Sequence, residues 1–247
     1  MEDSKKGIGD RYQEETKYSR DGMKSYSTCV FERAEPYKQY PDAAKVLPLP
    51  PVQPKAKVNF WDTLASRRSQ RDFNNAPLSL DELALLIFAT QGITDELGSN
   101  MFRATPSAGA LYPIETYIHG NRVTGLDCGI YHLNIAQQAL ELIRPGDCDR
   151  ALAIAALGQE MISDGAATFI WTAIADRSKW KYHERAYRYI YLDAGHIGQN
   201  LYLAATALGL GCCTIGAFLD SEVNDIIGID GENETAVYLG SVGKKQQ

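Results

Sequence analysis

Between Arg185 and Leu208 no proline interrupts a segment that is apolar nearly all round, and Gly209 closes it. At 1.5 Å per residue this predicts a helix of roughly 35 Å, ended by a glycine C-cap. A helix with so little polar face has to run through a core or an interface. Ala194, Gly195, Gly198, Ala204, Ala205 and Ala207 strip bulk from its middle and end. Glycine inside a helix costs about 1 kcal/mol relative to alanine, so Gly195 and Gly198 call for a close approach by another helix or by backbone. A buried core helix and a dimer interface both satisfy that demand.

With 247 residues, 45% of them hydrophobic, the chain can bury a sizeable core as one large domain or two small ones. Its formal net charge of −6 argues against a broad nucleic-acid face. No charge-free apolar run reaches the roughly 18 residues of a spanning helix, and no apolar stretch follows Met1-Glu2-Asp3-Ser4-Lys5-Lys6 as it would in a signal peptide. The expectation is a soluble cytoplasmic protein without membrane partners. Cys29, Cys128, Cys148, Cys212 and Cys213 are odd in number and lack metal-ligand spacing with the four histidines, so neither a disulfide framework nor a metal site is expected.

Residues 1–54 read as an N-terminal arm, polar and tyrosine-dotted, then extended and proline-rich through Leu47-Pro48-Leu49-Pro50-Pro51-Val52-Gln53-Pro54. The prolines exclude a helix or an inner strand there. Residues 55–247 form the expected compact domain. A short helix over Trp61 to Ser66 precedes a capping box, Ser79-Leu80-Asp81-Glu82, that opens a helix ending near Gly92. A strand follows from Ile114 to His119, then a hairpin from Gly129 to Arg144 and a helix from Asp149. The near-continuous apolar run Ala167 to Ala175 predicts a strand covered on both faces. Beyond the long helix come a strand starting at Gly211, a helix from Ser221 to Ile227 and a strand from Ala236 to Val242. Hairpins mixed with crossovers make the class α+β.

Ser66-Arg67-Arg68-Ser69-Gln70-Arg71-Asp72-Phe73 is the densest chemical signal. Guanidinium groups grip phosphate oxygens two at a time, and three of them around a hydroxyl suit one phosphate dianion. A solvated basic patch is the competing reading. Pro106-Ser107-Ala108-Gly109-Ala110-Leu111-Tyr112-Pro113 offers small residues that let backbone approach a ligand. His196, within the apolar helix, is expected to pack through a hydrogen bond, and Cys212 and Cys213 to act as small buried hydrophobes.

Taken in order over Trp61 to Lys245, the arginine run, the Pro-Ser-Ala-Gly-Ala-Leu-Tyr-Pro segment, Trp180-Lys181-Tyr182 with Arg185 to Tyr189, and Asp193-Ala194-Gly195-His196 through Gly216-Ala217 resemble the nitroreductase superfamily. They are most similar to its SagB-type, azole-forming dehydrogenases. That resemblance implies an FMN cofactor and a nitroreductase-like α+β fold, with a central, mostly antiparallel sheet flanked by helices. It further implies a domain-swapped homodimer about a long central helix, and ping-pong hydride transfer.

By the same resemblance, Arg67, Arg68, Ser69 and Arg71 hold the FMN phosphate and ribityl chain, and Lys244 and Lys245 complete the phosphate site. Pro106, Ser107, Ala108, Gly109, Leu111 and Tyr112 reach the flavin from the partner subunit, while Ile215, Gly216 and Ala217 cover its ring. Ala110 and Tyr112 depart from the Asn and Gln of many nitroreductases, so amide contacts are lost and a phenol gained. Lys181 and Tyr182 match the Lys-Tyr pair that serves as base in azole formation. The alternation of Arg177, Lys179, Lys181, His183 and Arg185 also fits a solvated strand edge. A small molecule or a modified peptide is the expected substrate. An NAD(P)H-dependent nitroreductase or quinone-type reductase, and a non-catalytic flavin carrier or sensor, are the alternatives.

Overall fold

A computed structural model of the chain describes residues 7–20, 31–52, 58–98 and 100–246. The expected arm–domain boundary and Cys29 lie outside the described residues. The elements in order are α1 (Ile8–Glu15), β1 (Lys45–Pro48), α2 (Phe60–Ser66), β2 (Leu78–Ser79), α3 (Leu80–Gln91), β3 (Ile93–Leu97), β4 (Asn100–Arg103) and β5 (Ile114–Gly120). They continue with β6 (Val123–Thr124), β7 (Gly129–Asn134), β8 (Ala139–Pro145), α4 (Asp149–Ala155), α5 (Met161–Asp164), β9 (Ala167–Ala173) and α6 (Asp176–Tyr182). The last are α7 (Ala186–Ala207), β10 (Leu210–Ile215), α8 (Asp220–Ile227) and β11 (Thr235–Lys244). Seven strands form one sheet in the order β1-β8-β7-β5-β9-β11-β10, and each adjacent pair is antiparallel.

Two apolar clusters cover the sheet. Alternate residues of β5 and β9 divide between them, so Ile118, Phe169 and Trp171 face α3 and α7, whereas Tyr117 and Ile170 face α4, α5 and α8. This is the two-sided cover that the apolar run of β9 implied. Ser79 caps α3 as its sequence indicates, accepting from the Glu82 amide at 3.1 Å while Glu82 accepts from the Ser79 amide at 2.9 Å.

The proline-rich segment contributes β1, an edge strand paired only with β8, the one sheet position where missing amide donors are tolerated. Earlier in the arm, residues 8–15 are helical, with Asp10 accepting from the Gly7 amide at 3.0 Å. Arg177 to Tyr182 is a helix followed by a 3-10 turn, not the alternating strand edge that the charge spacing also allows. The short helix turns Arg177 inward and leaves Lys181 exposed, a division that a period of two does not describe.

Polar groups between the arm and the sheet are buried and paired. Glu115 accepts from Arg177 Nη1 at 2.5 Å and meets His132 Nε2 at 2.9 Å, while Glu141 meets His132 Nδ1 at 2.8 Å. Tyr40 donates its amide to Glu141 at 3.1 Å, and Lys38 donates to Tyr117 Oη at 2.7 Å and pairs with Glu234. Burial acts to raise the Glu115 carboxyl, but the Arg177 charge, the His132 hydrogen bond and the His132 and Arg103 charges outweigh it and hold it at about 2. A depressed carboxyl contributes stability above its ordinary range and loses it as pH falls toward about 2. Replacing Arg177 with Met strands that carboxylate, so urea unfolding is expected to show a loss of about 3–5 kcal/mol at neutral pH. A loss below 1 kcal/mol would mean the pair does not hold the arm.

Candidate active site

Two groups of residues gather along α7. The first lies where the arginine run crosses the start of β10. Gly211 and Gly243 are cross-strand partners, and a Cβ on either would sit 2.8 Å from the Phe73 ring. The bare pair therefore lets Phe73 lie flat on the sheet. Gln70 donates its amide to Cys212 O at 2.9 Å, and Asn74 to Lys244 O at 2.9 Å, so the run is laid along the β10–β11 edge. Arg67, Arg68, Ser69, Arg71, Lys244 and Lys245 thereby converge on one end of the molecule.

Tyr202 of α7 organises this cluster. Its hydroxyl lies 3.0 Å from Ser69 Oγ, accepts the Thr214 amide at 2.9 Å, and its ring lies 5.2 Å beneath the Arg67 guanidinium. Arg68 donates to the carbonyls of Ala65 and Arg67 at 3.0 and 2.7 Å, which curls it over the end of α2. Arg67, Arg68, Arg71 and Lys245 make no ion pair with any described residue, whereas Lys244 pairs with Glu82 at 2.5 Å. In a chain of net charge −6, this is a local excess of positive charge with donors turned to solvent, as an anion site requires. Further along β10, Ile215 is buried while Gly216 and Ala217 are exposed. The phosphate-type donors thus lie beside the start of β10 and the bare backbone just past its end.

The second group surrounds residues 106–112. Asp193, buried in α7, accepts from Ser107 Oγ at 2.5 Å and from the Ala108 amide at 3.2 Å, and Ser107 Oγ accepts the Tyr112 amide at 2.9 Å. These bonds hold the loop with positive φ at Gly109, Ala110 and Tyr112, a conformation that costs the non-glycine residues about 1 kcal/mol or more each. Tyr112 is steadied by the Arg103 amide, which donates to its hydroxyl at 3.0 Å, and by the Arg103 guanidinium 4.6 Å from its ring. Lys181 and Tyr182 lie against the loop. A Cβ on Gly109 would be 2.5 Å from Tyr182 Oη and 2.8 Å from Lys181 Nζ. The Tyr182 ring packs edge-on to Tyr189 at 4.8 Å.

Asp193 and Tyr202 are separated by about 14 Å along the helix axis at 1.5 Å per residue. Within one chain, then, the loop and the Lys-Tyr pair come together near the start of α7 and the arginines gather around Tyr202 further along it, while β10 runs back beneath the helix with Thr214 against Gly198. His196, expected to be packed within the helix, is exposed beside Tyr191, Leu192 and Gly195, because the sheet-facing stripe of α7 passes through Ala194, Ile197 and Gly198 instead. Tyr202 gives no sequence signal among the chain's fourteen tyrosines. Asp193 does: a single carboxylate in an apolar helix needs a partner.

With this geometry in view, relatives can be compared. The Nitroreductase family model matches residues 64–244. MJ1384, a protein of Methanocaldococcus jannaschii named as a nitroreductase, is 38% identical over 189 residues, covering 76% of this chain and 92% of that protein. The trifolitoxin-processing protein TfxB of Rhizobium leguminosarum bv. trifolii is 33% identical over 65% of this chain and 46% of its own length. The crystal structure of a nitroreductase-type protein from Anabaena variabilis superposes with a TM-score of 0.77 at 31% identity, covering 96% of this chain and 47% of that one. This chain spans about half the length of the last two. It belongs to the nitroreductase family, whose members are oxidoreductases.

Burial raises the Asp193 carboxyl above its ordinary range, and the Ser107 and Ala108 hydrogen bonds oppose this. For an acid with a raised value, the folded state gains stability as pH falls through that value toward the ordinary range, and loses it as pH rises. Replacing Asp193 with Ala is expected to cost about 1–3 kcal/mol and to speed amide exchange in residues 107–112. Asp193→Asn should retain the loop and abolish the pH-dependent increment. Unchanged exchange in Asp193→Ala would show that the loop holds itself.

Proposed function

We propose that this protein is an FMN-dependent oxidoreductase working as a homodimer, and that it is a SagB-type dehydrogenase acting on a small heterocycle or a modified peptide. The observation that carries the FMN reading is the cluster of arginines around Tyr202 without carboxylate partners among the described residues, followed past the end of β10 by the exposed Gly216 and Ala217. A phosphate-bearing, elongated, planar ligand matches that order of donors. FMN, when bound, takes hydride from one substrate and passes it to a second.

Arg67, Arg68, Ser69 and Lys245 bind the phosphate and ribityl chain, Lys244 supporting them through its Glu82 pair. Arg71 places positive charge near the pyrimidine edge, which favours the reduced cofactor. The main chain of residues 215–217 orients the ring without a titratable group. A second copy supplies residues 106–112 and, with them, Lys181 and Tyr182. The pairing is supported by the exposed apolar side chains Phe60 and Trp61 on α2 and Tyr191 and Leu192 on α7, the last two just ahead of the exposed Gly195. Lys181 or Tyr182 accepts the proton that the substrate carbon releases, and Arg185, hydrogen-bonded to Tyr189 at 2.9 Å, lends positive charge nearby. The likeness to TfxB, a toxin-processing protein by name, favours the modifying-dehydrogenase branch. The likeness to MJ1384, named as a nitroreductase, favours the reductase branch.

Arg67→Ala combined with Arg71→Ala is expected to abolish FMN retention, read from the visible spectrum and the mass of the released cofactor. Full FMN content in that variant overturns the site. Lys181→Met and Tyr182→Phe should keep FMN while at least one of them lowers turnover about 100-fold or more. Rapid anaerobic bleaching of the flavin by NADH or NADPH would assign the reductase branch, and inertness the dehydrogenase.

A further inference from the structure

At one end of the inner strands β5, β7 and β8, three segments meet. His119 stands near the end of β5, Cys128 directly before β7, and Asp147 between β8 and α4. One donor atom from each lies within 4.8 Å of the others. His119 Nε2 is 3.6 Å from Asp147 Oδ1 and accepts the Cys148 amide at 3.2 Å. Its side chain is completely buried, and Nδ1 has no hydrogen-bond partner among the described residues. Nε2, the nitrogen that faces Asp147, is held only by a long main-chain hydrogen bond that an ion can displace, and native interiors seldom leave a buried imidazole so poorly satisfied without a reason.

We propose that His119, Cys128 and Asp147 form a binding site for a zinc-class divalent cation, and that the bound ion clamps these three segments together. Imidazole, thiolate and carboxylate are the donor types that zinc combines, three from protein with a fourth place for water. Tetrahedral coordination with bonds of about 2.0–2.3 Å sets donors about 3.3–3.8 Å apart. The cluster therefore has to close by roughly 1 Å at its widest. The movable parts permit this: Asp147 is exposed and Cys128 half-buried, both on connecting segments, while only His119 is fixed in the sheet. Asp147 also accepts the Asp149 amide through Oδ1 at 2.8 Å, which steers the carboxylate and leaves Oδ2 for the ion. Gly146, at φ 101°, donates its amide to Cys128 O at 3.0 Å and ties the two connections at the site. The histidine and the cysteine are only nine positions apart, one on β5 and the other in the connection before β7, and the sequence spacing resembles no standard zinc motif. Binding releases the Cys128 thiol proton and forms a sulfur–metal bond with no change of oxidation state, so affinity rises with pH.

Calorimetric titration of the chelator-treated, full-length protein with ZnCl2 tests this, repeated with CoCl2 to read a thiolate-to-cobalt absorption band. One equivalent of Zn2+ per chain is expected, with a cobalt–thiolate band. Cys128→Ser and Asp147→Asn should each weaken Zn2+ binding about tenfold or more, and Cys128→Ser should remove the band. Circular dichroism checks that both variants fold, and both sit at the surface, so the buried His119 need not be touched. No saturable Zn2+ binding to the native chain, or binding that both folded variants leave unchanged, overturns the site. The readouts are independent of flavin content and turnover.

Discussion

The close approach of α7 to the sheet at Gly198 governs the arrangement of the rest. A Cβ there would fall 2.6 Å from the Tyr238 ring and 3.5 Å from Thr214 Cγ2. Without that side chain the helix settles onto β10 and β11, with Thr214 Oγ1 and Tyr238 Oη 2.6 Å apart beneath it. The helix then acts as a rigid spacer. Asp193 and Tyr202, fixed in one element, set the loop of residues 106–112 and the arginine run at a constant separation that neither loop could maintain alone.

The electrostatics of the molecule are divided in the same way. Between arm and sheet, Glu115, Glu141 and Glu234 are matched by Arg177, His132 and Lys38, which removes the cost of burying each charge. At the sheet edge formed by β10, Arg67, Arg68 and Arg71 pair with no carboxylate among the described residues. Such a contrast within one fold separates charges that hold structure from charges available to a ligand. The arm also reaches the site's surroundings: Arg188 donates to Gln13 O at 2.5 Å and to Thr16 Oγ1 at 2.8 Å, and Arg33 lies over Trp180 at 5.3 Å. Gln13, Thr16 and Arg33 therefore border the α6–α7 junction that carries Lys181 and Tyr182.

Much of this was legible in local pattern. The capping box at Ser79, the hairpin of β7 and β8, the apolar run of β9 and the extent of α7 all follow from periodicity and end signals, because each is enforced by neighbours close in sequence. Misreadings share a cause. The charge alternation at 177–185 resembled a strand edge, yet Arg177 is turned inward by Glu115, sixty-two positions away. His196 looked buried because its helix is apolar on several faces, and which face meets the sheet is settled by Gly198 and Ala194 rather than by hydrophobicity. Asp193 could have been marked as a lone acid in an apolar helix, but Tyr202 and the His119, Cys128 and Asp147 cluster carry no local signal at all.

The sequence by itself determined the longer elements, the α+β class, the arginine run as an anion site candidate and the family resemblance that implied an antiparallel sheet, since those depend on residue chemistry and short spacing. Only the tertiary structure decided which charges are already neutralised, that Lys181 and Tyr182 sit against Gly109, and that three separated segments bring an imidazole, a thiol and a carboxylate together. Those outcomes depend on strand order and on the rotation of α7, which arise when distant segments compete for the same buried space.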